Sequence, residues 1–354
     1  DDYTVLRDVS EKQMNAEATF FPIRKAWWYI PRPHLSFDEV KGSQGADHFV
    51  APNPPFGTVF TYYLSNDFET LKSVRQEKEA SLNEREKDIH FPGWEAIEAE
   101  RRQEEPVLWV SVTDRRGDVV RRVPASTGKG FHRVAWDLRY PAPEAIGLDW
   151  DSEPSSGFLA PPGTYTATLY KQRDGDVIQL SEPQEFKVVR LRKGALPGAR
   201  LAEVAAFWRK YEDVVRSASA LQITLNTAMS KVDAMKLALA NSTAKAGDLD
   251  KRLHEIRIAL LELEERMGGN QSKQSPGEKT NPTIGDRLFS VSRGIGQSTY
   301  GPTDTNRRTL ELAINQLAAG RNNFESIQKE ISELAQDLLD SGAPWVEGEP
   351  LPKR

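Results

Sequence analysis

The rhythm of apolar positions changes once along the chain, near residue 198. Before that point apolar residues alternate over short runs, the period-two pattern of strands with one buried face. Residues 56–64 are β-branched and aromatic, and 107–113, 119–123, 131–138, 161–170, 177–178 and 185–189 repeat the pattern. Turn chemistry separates them. Asp114-Arg115-Arg116-Gly117-Asp118 and Asp174-Gly175 are hairpin signals, with Gly117 supplying a positive φ. About seven short strands with regular turns predict an immunoglobulin-like antiparallel β-sandwich over 56–190. Its core is expected around Trp109, Trp136 and Tyr165, with Phe131, Val134, Trp136 and Leu138 mainly on one face. A charged stretch near 67–105 interrupts the strands. Arg75 and Glu79 stand four apart there, Pro92-Gly93 breaks the run and Trp94 restarts it, so the interruption reads as a helical insertion.

Beyond residue 198 the period becomes helical. Leu201, Val204, Trp208, Tyr211 and Val215 open a stripe that continues to Leu239, about 60 Å of helix if unbroken. Gly247-Asp248 breaks it, with Asp248 as the expected N-cap of a second helix carrying Leu253, Ile256 and Leu260. That helix stops at Gly268-Gly269. A short helix around Ile284 and Leu288 follows, then a long one through Leu310, Leu317 and Phe324, capped by Thr303 or Asp304. The sum is an up-and-down antiparallel helical bundle over 191–345 with a tail at 346–354. Met229, Met235 and Met267 lie on the stripes as core residues, whereas Val214, Ile223 and Leu261 are spare apolar positions for an assembly interface. Residues 1–55 fit neither rhythm. Tyr3–Leu6 alternates like a strand, 20–30 is extended and aromatic, and Pro31, Pro33, Pro52, Pro54 and Pro55 forbid a long helix. This segment reads as a linker that docks on another surface.

Composition removes several chemistries. With no uninterrupted apolar run near the ~20 residues of a membrane span, no membrane insertion is expected. Lysine and arginine total 47 against 52 acidic residues, a net charge of -5, which gives no footprint for nucleic acid. Zero cysteines exclude disulfides, thiol nucleophiles and iron–sulfur clusters. There is no Gly-x-Ser-x-Gly elbow, phosphate loop or His-Glu-x-x-His, so no residue is assigned a catalytic role. Two weaker groupings remain. Trp27, Trp28, Trp94 and Trp150 offer flat rings for stacking on a glycan, as in a carbohydrate-binding module of a glycoside hydrolase. Asp149, Asp151 and Glu153 gather oxygen ligands suited to Ca²⁺, at a spacing that fits no EF-hand.

Several segments, in order, carry a resemblance. They are Thr4-Val5-Leu6-Arg7-Asp8-Val9-Ser10, Phe20-Phe21-Pro22-Ile23-Arg24, and Ala51-Pro52-Asn53-Pro54-Pro55-Phe56-Gly57 running into Phe60-Thr61-Tyr62-Tyr63-Leu64. Asp114–Arg121, Gly130–Arg139 and Pro161-Pro162-Gly163-Thr164-Tyr165 complete the series. The chain resembles the region downstream of the β-propeller in large exported bacterial proteins of the sortilin-like, BNR (sialidase-type), glycoside-hydrolase-like kind. Its predicted sandwich is also similar to the immunoglobulin-like domain of flagellar hook-capping proteins. The resemblance implies that 1–55 is the end of a propeller blade plus a docking linker, and that the opening without Met marks a cut product or fragment. It further implies a non-catalytic C-terminal spacer and interaction region, periplasmic, cell-surface or extracellular. The implied partner is the parent propeller or another subunit of a cell-surface complex. The Ser-x-Asp-x-Gly-x-Thr-Trp boxes of propeller blades are missing, so no active-site residue of the family carries over.

Overall fold

Alternation in the first half of the chain becomes β sheets, and the helical period of the second half becomes long helices. A computed structural model describes residues 4–31, 54–148, 156–194, 197–245 and 247–351. The chain divides into two units: Asp1–Pro141 with Phe158–Lys193, and Ala142–Gly157 with Gly194–Arg354.

The first unit opens on a 3-10 helix at Thr4–Asp8 and α1 (Glu11–Asn15). Then come β1 (Ala18–Phe20), β2 (Ala26–Trp28), β3 (Thr58–Leu64), α2 (Leu71–Glu84) and α3 (Trp94–Arg102). The remaining strands are β4 (Val107–Thr113), β5 (Val119–Ala125), β6 (Gly130–Trp136), β7 (Arg139–Pro141), β8 (Ser156–Leu159), β9 (Gly163–Arg173), β10 (Asp176–Gln179) and β11 (Gln184–Arg190). One sheet runs β1-β3-β6; a second runs β2-β11-β9-β4-β5, with β10 also on β9; β7 and β8 pair separately. Only β2 on β11 is parallel within the two larger sheets. Asp174 and Gly175 both take positive φ, 50° and 85°, the type I′ turn that matches strand twist and joins β9 to β10.

Inward side chains of both larger sheets form one hydrophobic cluster. Phe60, Tyr62, Leu64 and Trp136 come from the smaller sheet, and Leu108, Val110, Leu169 and Phe186 from the larger. Phe60 meets Phe186 edge-on with centroids 5.7 Å apart, and Trp136 meets Tyr165 at 5.3 Å. Full burial of each such ring contributes roughly 1.5–3 kcal/mol.

The structure corrects four expectations in this unit. Trp109 is not in that core: it stacks on Tyr170 at 5.8 Å beneath the Arg122 guanidinium, on the opposite face of β4. Apolar residues occupy both faces of β4, so alternation alone leaves its facing ambiguous. Phe131 likewise faces outward, against Phe21 and Tyr63, because the period of two sets Val134 and Trp136 inward. Residues 4–6, within the expected Tyr3–Leu6 strand, belong to the 3-10 helix. Finally, the first 55 residues are not only a linker, since β1 pairs with β3 and β2 with β11 within the chain's own sheets.

The second unit is built on α4 (Leu201–Ala240), α5 (Asp248–Gly268), α6 (Gln271–Gln274), α7 (Ile284–Gly296) and α8 (Asp304–Asp340). Their stripes meet in one core containing Leu225, Met235, Leu260, Leu263, Val291 and Leu334. Leu221 and Leu263 both abut Gly320, and Thr243 Oγ1 donates to Ser341 O at 3.1 Å, so α4 and α8 run in the same direction. Arg252 of α5 pairs with Asp337, and Arg287 of α7 bonds Gln316 at 2.9 Å, so α5 and α7 run against α8, one after the other. Together they span about 51 Å, close to the ~55 Å of the 37-residue α8. The short fourth helix therefore continues the line of the second.

Val214 is buried in this core, not spare, while Ile223 and Leu261 are half-buried. The N-cap of α5 is Gly247 and Asp248 is the first helical residue; the Asp250 carboxylate accepts from Gly247 N–H at 3.0 Å. The expected tail packs in part: Val346 is in the core and Glu349 pairs with Lys231.

Candidate interaction surface

The insertion between β3 and β4 is made without a core. Its sequence supplies charges at helical spacing but no apolar stripe, and neither α2 nor α3 buries a residue. Local chemistry starts and fastens the two helices instead. Thr70 caps α2, its hydroxyl accepting from Ser73 N–H at 3.1 Å while Ser73 Oγ accepts from Thr70 N–H at 2.9 Å. The Gln103 side chain, at the end of α3, accepts from Leu71 N–H at 2.6 Å. Arg75 grips Glu100 with two bonds of 2.7 and 2.9 Å and turns its remaining donor to Glu79 at 2.8 Å. Hydrogen bonds from Arg75 hold the Glu100 carboxyl below its ordinary range, and Arg101 and Arg102 do the same for Glu98. These bonds organise a hairpin whose inner side is a shielded ion-pair cluster and not an apolar core.

The connection between the two helices is charged at its start and exposes apolar side chains towards its end. After Glu86, in the left-handed region at φ 51°, the chain exposes Ile89, Phe91 and Trp94. Phe91 is 61% and Trp94 79% exposed, and the two rings touch edge to face at 4.9 Å. Gly93, at φ 95°, makes the turn that sets Trp94 at the head of α3. Large exposed aromatics in mutual contact on a helix connection have the form of anchors at protein interfaces. The sequence did show Trp94 and Pro92-Gly93. It did not show that Phe91 and Ile89 stand beside that tryptophan in solvent.

Among the described residues, Trp27 and Trp28 do not form one stacking face. Trp27 and Trp28 are neighbours on β2 and point to opposite faces. Trp28 donates from Nε1 to Ala160 O at 2.8 Å and lies under the Arg190 guanidinium at 5.3 Å. Trp27 is half exposed, with the Lys25 ammonium 4.7 Å from its ring centre. Trp150 and the acids Asp149, Asp151 and Glu153 lie outside the described residues. Among the described residues no group of three or more His, Asp or Glu side chains is placed to hold a metal ion. Nor is any helix long and apolar enough among them to cross a membrane.

One titratable group escaped the sequence reading. Glu212 of α4 turns one carboxylate oxygen inward, where it is buried without a hydrogen-bond partner. Burial is the main cause that pushes its pKa up from 4.5 to about 7; Arg216 and Arg209 pull it down, while Asp213 and Glu144 push it further up. Its neighbour Tyr211 is also raised by burial, and its hydroxyl bonds Leu288 O of α7 at 3.3 Å. The segment carrying Glu144 is pinned to α4 by a 2.7 Å bond from Ala145 N–H to Ser219 Oγ. In the sequence Glu212 looks like any charge on a helix surface, because its burial comes from what packs over it.

In comparisons with protein-family models, curated proteins and solved structures, none matches this chain.

Proposed function

We infer that this chain is a non-catalytic spacer and interaction region, an immunoglobulin-like β-sandwich followed by an up-and-down helical bundle. Two sheets sharing one aromatic core support the sandwich reading. So does Tyr165, near the start of β9, whose hydroxyl donates back to Pro161 O at 2.5 Å in the manner of a tyrosine corner. The bundle reading is supported by α5 and α7 running against α8 over a common core. Placement downstream of a propeller, and export to the cell surface or periplasm, rest on the resemblance of the quoted segments.

The observation that carries the interaction role is the hairpin α2–α3. Two helices that bury none of their own residues project an aromatic connection, and a partner that covers Phe91 and Trp94 gives that arrangement a use. The partner is the parent propeller or another subunit of a cell-surface complex. Photo-cross-linking residues placed at 91 and 94 in the protein made by its own cells test this. A single discrete adduct at both positions, lacking when the probe sits at exposed Val177, is expected. Adducts equally frequent at all three positions, or at none, would remove the hairpin as the docking element.

A further inference from the structure

The second unit contains a cleft where α4 and α5 approach their connecting turn. It has a volume of about 560 Å³ and an apolar floor of Val232, Leu239 and Leu253, the first and last of them buried. Its rim is charged and unbalanced. Lys236, Lys245 and Arg257 line it, beside the His254 imidazole, against two carboxylates, Asp233 and Asp250. Both carboxylates already have partners, Asp233 within the rim itself. Asp233 faces Arg257 at 3.6 Å, and Asp250 accepts from Gly247 N–H at the start of its own helix. Lys236, Lys245 and the His254 imidazole are left as donors from three separate segments, with no carboxylate paired to them among the described residues. Helical spacing explains why they converge: Asp233, Lys236 and Ala240 share a face of α4, and Asp250, His254 and Arg257 share a face of α5.

We propose that this cleft binds a small amphipathic anion, a carboxylate or phosphate head group carrying a short apolar chain. The head group meets the cations of the rim and displaces their water, while the chain covers the apolar floor. Its volume falls within the range of small-molecule sites, and a mostly polar rim stands over the apolar floor. An acidic head is selected because the rim's own acids are already used, and a chain is selected because the floor is hydrophobic.

The test is an amide chemical-shift titration of the whole chain at low salt with hexanoate, hexyl phosphate, acetate and hexanol. Hexanoate or hexyl phosphate is expected to shift amides of 232–257 saturably, and the tighter of the two identifies the head group. Acetate, lacking the chain, and hexanol, lacking the charge, are expected to bind at least about tenfold more weakly. Lys236→Ala with Lys245→Ala, both exposed and outside the core, should weaken the anion by roughly tenfold or more while leaving the melting temperature in place. High salt should weaken it as well. No saturable shift up to about 50 mM of either anion, equal binding of hexanol, or an unchanged affinity in the double variant would overturn the proposal. Leu239→Asp gives a second reading: it fills the floor with charge and must abolish binding if the apolar chain lies there.

Discussion

Glu212→Gln should make the helical unit more stable at high pH and leave it unchanged at low pH. The folded pKa of Glu212 is pushed up to about 7 from 4.5. Between those values the unfolded chain has released the proton while the folded chain retains it. The native state therefore binds more protons, and stability falls as pH rises through this window. Below pH 4.5 both states are protonated and the stabilising contribution is complete; above 7 it is lost. Counted in full, a change from 4.5 to about 7 corresponds to about 3.4 kcal/mol. Glu212 is only half-buried, so solvent screening reduces the expected effect to about 1–2 kcal/mol. Glutamine keeps the shape and cannot ionise. Urea unfolding followed by circular dichroism at pH 4 and pH 8 should show the variant level with the parent at pH 4 and about 1–2 kcal/mol ahead at pH 8. A variant that keeps the parent's whole loss of stability between these pH values refutes the assignment, because the unpartnered oxygen is then not what titrates.

Three further substitutions test the packing. Gly57 has φ 106°, and a Cβ there would fall inside contact distance of the Trp136 carbonyl oxygen, so Gly57→Ala should cost about 3 kcal/mol or more in fluorescence-monitored unfolding. Gly320 presents the opposite case: a Cβ would meet Leu221 and Leu263 at 3.6 Å, an ordinary contact, inside helix α8. Gly320→Ala should therefore stabilise by about 0.5–1 kcal/mol in a thermal melt, and a loss of that size would contradict the packing of α4, α5 and α8. Arg75→Ala removes the grip on Glu100 and Glu79, so amides of α2 and α3 should exchange faster with deuterium while those of β4 stay protected. Equal acceleration in both would show that the hairpin is part of the sheet's cooperative unit.

The residues that were legible in the sequence share one property: their signal is local. Asp174-Gly175 specifies a type I′ turn because both positions need positive φ, and the structure has it. Thr303 caps α8 with Asn306 in a reciprocal pair, and the stripes of α4 and α8 fall on the buried positions that their period selects. Where the signal depended on tertiary context, the sequence misled. Trp109 belongs to a strand apolar on both faces, so nothing local says which face is inward. Residues 18–28 carry short strands whose partners lie tens to more than a hundred residues away, in β3 and β11, so they read as a linker. That α7 follows α5 along α8 is equally invisible, because periodicity reports which face is buried and not against what. Of the candidate surface, only Trp94 and the proline–glycine break were visible beforehand; the exposure of Phe91 and Ile89 follows from a hairpin that stands on ion pairs.

Hydrogen exchange at 89–94 reports directly on whether the α2–α3 hairpin docks on a partner. It is measured once on the purified chain and once on the protein recovered in complex from the cells that make it. An interaction role for the α2–α3 hairpin predicts that these amides slow by about tenfold or more in the recovered protein, while those of the exposed edge strand β10 are unchanged. Identical exchange at 89–94 in both samples would contradict it.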